Sequence, residues 1–102
     1  MRELLSADAV AEALHARPAW HGDTGAIRRT AELPSFPAAI AVVDAVAEEA
    51  EELDHHPDID IRWRTLAFTL STHSAGGVTE LDLTLADRID AAVTGRRERP
   101  DG

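Results

Sequence analysis

The stretch DIDIRWRTLAFTLS, residues 58–71, contains two runs in which apolar and polar residues alternate. The apolar positions are Ile59, Ile61 and Trp63 in the first run and Leu66, Phe68 and Leu70 in the second. A period of two is typical of β-strands that bury one face. We therefore predict an antiparallel hairpin that turns near Trp63 and Arg64.

A second pair of strands is predicted earlier in the chain. The apolar residues there are Ile27, Ala31 and Leu33. They alternate with the polar residues Arg28, Thr30 and Glu32. The segment 22–25 begins and ends with glycine and reads as a turn. We expect Trp20 and His21 to open a short partner strand before that turn.

Capping signals mark the ends of the first and third predicted helices. Ser6 is a good N-cap for a helix that runs to about Ala16, and Pro18 prevents its continuation. The sequence Thr79-Glu80-Leu81-Asp82 has the spacing of a capping box, and Gly95 is suited to end the helix that follows. We therefore predict a helix near each end of the chain.

The longest predicted helix spans Phe36 to Leu53. Its apolar residues recur at steps of three and four and form a stripe of Phe36, Ile40, Val43, Ala47 and Ala50, which Val46 and Leu53 widen. Such a stripe is typical of the face that a helix turns toward the core. The other face is acidic and carries Glu48, Glu49, Glu51 and Glu52. We therefore expect the stripe that begins at Phe36 to be buried.

The resulting element order is helix, two strands, helix, two strands, helix. This order favours an α+β fold in which a four-stranded antiparallel sheet carries three helices on one face. A chain of 102 residues is expected to form one domain. We assign this domain to residues 1–95 and predict that residues 96–102, which are basic through three arginines, form a flexible tail.

The composition excludes several classes of function. The chain has 19 acidic and 10 basic residues, and its formal net charge of -9 argues against direct binding of nucleic acid. The lack of cysteine excludes disulfides, thiolate metal sites and a cysteine nucleophile. No segment approaches the roughly 20 apolar residues of a membrane span, and the start, MRELLSADAV, lacks the apolar run of a signal peptide. We therefore expect a cytoplasmic protein that does not bind membranes.

Three of the five histidines are expected to lie at one end of the predicted sheet. Pro57 disfavours helical backbone at His56, so the second helix ends at or before it, and His55 and His56 follow the C-terminal end of that helix. There the helix macrodipole and neighbouring carboxylates favour a protonated imidazole. In a hairpin that turns near residue 63 or 64, His73 returns to the level of residues 54–56. All three histidines can then meet.

These histidines are compatible with three roles. Each could be an exposed turn residue, a metal ligand or a proton carrier. Adjacent residues point apart in extended backbone, so His55 and His56 are poor partners for a single ion. We therefore rank acid/base catalysis above metal binding and keep the exposed turn residue as the alternative. Asp82 also has compatible roles, because it can cap its helix and, at a position near His73, can orient an imidazole or hold a polar ligand.

Two segments carry these histidines and the acidic residues beside them. They are Glu51-Glu52-Leu53-Asp54-His55-His56-Pro57 and Ser71-Thr72-His73-Ser74-Ala75-Gly76-Gly77-Val78-Thr79-Glu80-Leu81-Asp82. In residues and in spacing, the two segments together resemble the pterin-4a-carbinolamine dehydratase family. The resemblance extends from about Ser6 to Val93 and includes Trp20 at the first strand and Phe36 at the start of the second helix. Two histidine motifs at matched spacing, in the same element order, make the resemblance specific.

The resemblance implies a hydro-lyase that converts 4a-hydroxytetrahydropterin, the 4a-carbinolamine, to quinonoid dihydropterin. This reaction recycles the tetrahydrobiopterin cofactor of aromatic amino acid hydroxylases, so a functional link to such a hydroxylase is implied. The pterin is the substrate, and the resemblance implies no metal and no other cofactor. It also implies a homodimer or homotetramer. Some members of the superfamily lack the histidines and act as assembly factors or transcriptional cofactors, so a non-catalytic protein-binding module is the alternative.

By the same resemblance, His55 and His73 are the pair that transfers protons, and His56 binds or orients the pterin. The residues implied to bind the substrate or to support the histidines are Glu51, Asp54, Pro57, Thr72, Asp82 and Trp20. Ser74 stands where several relatives have an acidic residue, and this difference is expected to affect the shape of the pocket and the choice of pterin.

Overall fold

The computed structural model describes residues 3–95. These residues form, in order, α1 (Ala7–His15), β1 (His21–Gly22), β2 (Ile27–Glu32), α2 (Phe36–Leu53), β3 (Asp58–Arg62), β4 (Thr65–Leu70) and α3 (Glu80–Thr94). The predicted order of helices and strands is confirmed. The predicted basic tail, residues 96–102, lies outside the described residues, and the domain boundary at residue 95 stays a prediction. No helix in this described part of the chain is long and apolar enough to span a membrane.

These four strands form one antiparallel sheet in the order β1-β2-β4-β3. Strands β3 and β4 pair in a register that joins Arg62 to Thr65, so Trp63 and Arg64 alone make the turn between them. Trp63 has a left-handed backbone conformation with φ of 57°. The favoured two-residue hairpin turns require a positive φ at their first central residue. The predicted hairpin and the position of its turn are confirmed.

One face of the sheet packs against the helices. Its buried residues are Ile27 and Ala31 of β2 and Leu66, Phe68 and Leu70 of β4. They share a hydrophobic cluster with Val10 of α1, Val46 of α2 and Ile89 of α3. On the other face of the sheet, Arg28 and Asp60 are exposed. The predicted α+β architecture, with helices on one face of an antiparallel sheet, is confirmed.

The predicted caps set the ends of α1 and α3. The Ser6 hydroxyl accepts a hydrogen bond from the backbone N–H of Ala9 at 3.1 Å. At the start of α3, Thr79 and Asp82 form a capping box, and Gly95 ends the helix with φ of 68°. These contacts satisfy backbone groups that have no partner within the helix itself. The local sequence is therefore sufficient to place these helix boundaries.

The bounds of α2 are as predicted, and its predicted buried face is correct only in part, because Val46 and Ala50 are buried but the stripe also included exposed residues. The buried residues of α2 are Ala39, Val42, Val46 and Ala50. In contrast, Phe36 is 48% exposed, and Ala47 is exposed as well. Apolar residues cover more than one face of α2, so periodicity alone does not distinguish the stripe that packs from its neighbour. Packing selects the stripe of alanine and valine, because these short side chains let α2 approach its neighbours closely.

Strand β3 lies at an edge of the sheet, and this position leaves its apolar side chains less covered than those of β4. Ile61 is 41% exposed and Trp63 is 70% exposed, while Ile59 is partly buried against the core. An edge strand has a neighbouring strand on one side only, and its side chains are therefore covered less completely. Ile61 therefore lies on the inward face, opposite the buried Leu66, but is covered only in part, and Trp63 is exposed in the turn.

Candidate active site

The C-terminal end of α2 positions His55. Asp54 caps the helix in a left-handed conformation with φ of 53°, and the backbone N–H of His55 donates to the carbonyl of Ala50 at 3.0 Å. This turn ends α2 before His56, as Pro57 predicts. It directs the side chain of His55 into the protein, where it is only 10% exposed.

Asp82 joins the start of α3 to the end of α2. Its carboxylate is fully buried, and Nε2 of His55 lies 2.5 Å from its Oδ1 atom. Its Oδ2 atom accepts hydrogen bonds from the Thr72 hydroxyl at 2.8 Å and from the backbone N–H of Thr79 at 2.9 Å. Burial of a carboxylate is costly unless hydrogen-bond partners surround it, and these three contacts offset that cost. Asp82 therefore caps α3 and also holds an imidazole, which is the imidazole of His55.

A tight turn between β4 and α3 carries His73. The backbone N–H of Thr72 donates to the carbonyl of Gly77 at 2.8 Å. In the other direction, the N–H groups of Ala75 and Gly76 donate to the carbonyl of Thr72 at 2.9 and 3.0 Å. These backbone bonds close the turn and leave His73 exposed on its surface.

The hairpin register accounts for the position of this turn. Asp58 pairs with Thr69, and continuation of the same antiparallel register places His73 level with Asp54. The turn therefore begins beside the segment that carries His55. The two backbone segments that carry the three histidines therefore lie at one end of the sheet.

Glycine at position 77 lets this turn pack against the connection between β1 and β2. A Cβ atom at Gly77 would lie 2.3 Å from the carbonyl oxygen of Thr24, and the backbone N–H of Val78 donates to the same oxygen at 2.8 Å. No side chain fits at such a distance, so only glycine allows the two backbone segments to approach. The turn that carries His73 is therefore anchored to the segment that precedes β2.

His56 lies outside the buried network. Its Nε2 atom is 2.6 Å from Oε2 of Glu51, and the two side chains are 57% and 77% exposed. Solvent screens an exposed pair of this kind, so the pair holds the imidazole only weakly. The ring of His56 is therefore free to turn toward a bound molecule, whereas the ring of His55 is fixed.

The structure brings most of the predicted site residues together. The contacts among them are His55 with Asp82, Thr72 with Asp82, and His56 with Glu51. Asp54 and Pro57 flank the histidine pair, the first exposed and the second partly buried. The side chain of His73 has no hydrogen-bond partner among residues 3–95. These residues form a buried network with an exposed rim of imidazoles and carboxylates.

The structure separates Trp20 from the histidines. Its buried indole donates from Nε1 to Oδ1 of Asp90 at 2.8 Å, and Nη1 of Arg29 donates to the same oxygen at 2.5 Å. Asp90 follows Asp82 by eight residues, which is about 12 Å along an α-helix. Trp20 and Arg29 therefore attach the sheet to the C-terminal half of α3 and do not contact the histidines.

Thr79 belongs to the network, although the sequence indicated only its role as a helix cap. Its hydroxyl lies 2.8 Å from the Thr72 hydroxyl, and both side chains are buried. The two threonines meet because the turn at residues 72–77 folds back on itself. No local pattern in the sequence reports that contact.

Residues 3–95 contain no preformed cluster of metal ligands. Within that range no three His, Cys, Asp or Glu side chains form a group that could hold a metal ion. His55 and His56 contact two different carboxylates, those of Asp82 and Glu51. Activity without metal nevertheless stays a prediction.

A buried carboxylate that holds one imidazole, beside two exposed histidines, is a site suited to proton transfer. The α+β fold carries this cluster of histidine and carboxylate side chains at one end of its sheet. A family model described as pterin 4 alpha carbinolamine dehydratase matches residues 3–92. The chain therefore belongs to the pterin-4a-carbinolamine dehydratase family, as the sequence motifs predict.

Two bacterial relatives are similar over nearly their whole length. A provisionally named pterin-4-alpha-carbinolamine dehydratase of Nocardia farcinica is 60% identical over 88 residues, which cover 86% of this chain and 93% of the relative. A protein of Mycolicibacterium smegmatis with the same provisional name is 53% identical over 91 residues, which cover 89% of this chain and 97% of the relative.

Two solved structures share the fold and differ in the roles that their descriptions give them. A transcriptional coactivator/pterin dehydratase from Brucella melitensis has a TM-score of 0.84 and 35% identity, covering 87% of this chain and 97% of that one. A pterin dehydratase-like protein described as a RuBisCO assembly factor of the alpha-carboxysome has a TM-score of 0.60 and 25% identity, covering 72% and 86%. The descriptions of these two structures thus name a dehydratase, a transcriptional coactivator and an assembly factor.

Proposed function

We propose that this protein catalyses the dehydration of 4a-hydroxytetrahydropterin to quinonoid dihydropterin. The observation that carries the proposal is the buried Asp82–His55 pair, which lies at the same end of the sheet as His56 and His73. An imidazole held by a buried carboxylate is a costly arrangement for a protein that only binds others. It is a common arrangement where an imidazole transfers protons.

The reaction requires two proton transfers and no redox step. The C4a–O bond breaks, the hydroxyl leaves as water after it gains a proton, and N5 loses a proton as the C=N bond forms. An acid and a base on the two sides of the ring suffice, and each contributes roughly 10²- to 10⁴-fold to the rate. We assign these transfers to His55 and His73 as a pair, without assigning acid and base between them.

The exposed residues around this pair are assigned to substrate binding. His56 is weakly held by Glu51 and can turn toward the pterin ring. Asp54 and Pro57 flank the histidines and would shape the rim. Thr72 and Asp82 support His55 from inside the protein and do not need to touch the pterin. Trp20 is left out of the binding residues, because its indole is committed to Asp90.

We also propose that the protein forms a homodimer or homotetramer. Strand β3 is an edge strand whose backbone is unpaired on its outer side, and its Ile61 is 41% exposed. Protein sheets usually pair or cover such edges. Strand β1, at the other edge, has only two residues and offers little to pair with. A link to an aromatic amino acid hydroxylase and the cytoplasmic location remain predictions from the sequence.

The second candidate function is a non-catalytic protein-binding module. Two observations favour it: the similarity to the structure described as a RuBisCO assembly factor, and the exposed apolar side chains of Phe36 and Trp63. A module of this kind would bind a partner protein without accelerating the loss of water from the carbinolamine.

A direct dehydration assay separates the two functions. The 4a-hydroxytetrahydropterin is generated in situ, and its conversion to the quinonoid form is followed by stopped-flow absorbance with and without protein. We expect the wild-type protein to accelerate the conversion and the His55→Ala variant to lose most of that acceleration. Equal rates with wild-type protein and with buffer would reject the dehydratase function and leave the binding module.

A further inference from the structure

The hydrogen bonds around Asp82 define which nitrogen of His55 carries a proton. An ionised carboxylate only accepts hydrogen bonds, so each atom in contact with it must donate. The contact between Nε2 of His55 and Oδ1 of Asp82 at 2.5 Å therefore requires a proton on Nε2. This requirement is the same whether the ring is neutral or cationic.

The two threonines are oriented by the same rule. The Thr72 hydroxyl has one proton and lies 2.8 Å from both Oδ2 of Asp82 and the hydroxyl of Thr79. Because the carboxylate can only accept, the Thr72 proton points to Asp82, and the Thr79 hydroxyl must donate to Thr72. The Thr79 oxygen in turn accepts from the backbone N–H of Leu81 at 3.3 Å. Each hydrogen bond in this chain therefore donates toward Asp82, from Leu81 to Thr79, from Thr79 to Thr72 and from Thr72 to the carboxylate.

The other nitrogen of His55 remains open. Among residues 3–95, the buried side-chain nitrogen and oxygen atoms without a hydrogen-bond partner are Nε atoms of Arg29 and Arg64. Nδ1 of His55 has no protein partner in that range and is not one of these buried atoms, so it reaches the surface. The exposed 10% of the His55 side chain therefore includes Nδ1.

We propose that Nδ1 is the nitrogen of His55 that gains and loses the proton at this site, and that Thr72 and Thr79 are positioning residues that act through Asp82. The catalytic part of this inference rests on the proposed dehydratase function. The proton that Nδ1 accepts comes from the substrate or from water, and Nε2 keeps its own proton throughout. The family resemblance implied that Thr72 binds the substrate or supports the histidines, and the hydrogen bonds of its hydroxyl favour the second role.

The protonation of the ring can be measured without any assay of activity. Histidine ring nitrogens are labelled with ¹⁵N, and two-bond ¹⁵N–¹H spectra are recorded over a pH titration, with His55 assigned from the spectrum of His55→Gln. In the wild type we expect Nε2 of His55 to stay protonated at every pH, while the Nδ1 resonance shifts on titration. A neutral ring with the proton on Nδ1 would overturn the proposal.

The Asp82→Asn variant reverses the expected tautomer. The amide oxygen would accept the donors of Thr72 and Thr79, and the amide NH₂ would face Nε2 of His55 and donate to it. The neutral ring should then carry its proton on Nδ1, and kcat should fall by about 10²- to 10⁴-fold, the range that a positioned acid or base contributes. A spectrum that still shows a protonated Nε2 would contradict the inference.

Variants of Thr72 test the positioning role. Thr72→Val should lower kcat about 10-fold with KM little changed, because a lost hydrogen bond to a charged group weakens the hold on Asp82, and Thr72→Ser should recover most of the loss. Thr84→Val, on the exposed side of α3, is a matched control that should keep wild-type rates. A rise in KM without a fall in kcat would show that Thr72 contacts the substrate and would overturn its positioning role. If the wild type has no dehydratase activity, the proposed function fails, while the spectra still decide the tautomer.

Discussion

His55 and Asp82 are 27 positions apart in the chain, yet Nε2 of the first lies 2.5 Å from Oδ1 of the second. The contact joins the end of α2 to the start of α3. Arg88 of α3 makes a second connection, through ion pairs with Glu49 and Glu52 of α2. Hydrogen bonds to Glu49 and Glu52 raise the pKa of Arg88 above its ordinary value. Arg88 therefore keeps its positive charge, and with it this second connection, at all pH values near neutrality.

Replacement of the three histidines by alanine is expected to change different kinetic constants. His55→Ala and His73→Ala should each lower kcat by roughly 10²- to 10⁴-fold, because each removes a proton transfer in the transition state. His56→Ala should mainly raise KM, because an exposed and weakly held ring serves binding. Steady-state kinetics on 4a-hydroxytetrahydropterin measure these constants, and His21→Ala on β1 is the control. Wild-type constants in all three variants would reject histidine catalysis.

Removal of the Asp82 carboxylate should destabilise the fold as well as the site. Asp82→Ala removes a helix cap and leaves the buried Thr72 hydroxyl and Thr79 N–H without their acceptor. We expect the free energy of unfolding to fall by about 2–4 kcal/mol, the sum of a lost cap and unsatisfied buried donors. Urea denaturation measures the change. Glu80→Ala, at an exposed position two residues earlier in the same helix, should change stability far less, and an equal loss in both variants would contradict this assignment.

Two adjacent glycines should differ in their tolerance of alanine. A Cβ atom at Gly77 would lie 2.3 Å from a backbone oxygen, whereas a Cβ atom at Gly76, with φ of 86°, would have no atom within 4 Å. Gly76→Ala should therefore cost only the backbone strain of a positive φ, about 1–2 kcal/mol. Gly77→Ala should cost more, because the turn must separate from Thr24. Thermal melts of the two variants make the comparison, and equal melting temperatures would contradict the close approach.

Dehydratase activity is expected to survive the removal of metal ions. The prediction rests on the separate carboxylate partners of His55 and His56, which direct the two rings to different contacts. Rates are compared before and after dialysis against EDTA, with metal content measured by mass spectrometry. A loss of activity that stoichiometric zinc restores would show that a metal is required.

The edge of the sheet formed by β3 is expected to be an interface between copies of the chain. Light scattering at micromolar concentration should give two or four times the monomer mass of 11.0 kDa. Ile61→Lys should shift the distribution toward monomer, because a charged side chain on an edge strand opposes strand pairing. Thr30→Lys, on the exposed face of an interior strand, is the control. A monomeric wild type would reject the predicted oligomer.

Local signals in the sequence were sufficient where short-range physics dominates. Ser6 and Thr79 accept backbone donors a few residues away, and Gly95 adopts the positive φ that ends a helix. The period of two in residues 58–71 predicts both strands and their turn, because side chains of a strand alternate between its faces. The motifs around His55 and His73 predicted the family, and the family model confirms it.

The tertiary structure decided the rest, because those features depend on residues far apart in the chain. Phe36 and Ala39 lie on neighbouring apolar faces of one helix, and only packing shows that Ala39 is the one buried. Trp20 looked like a site residue, but the position of Asp90 on the folded α3 draws its indole to the opposite half of that helix. In the same way, the capping box predicts that Asp82 caps α3, but it carries no information about the contact of Asp82 with His55. The imidazole reaches the carboxylate only when α2 and α3 pack side by side.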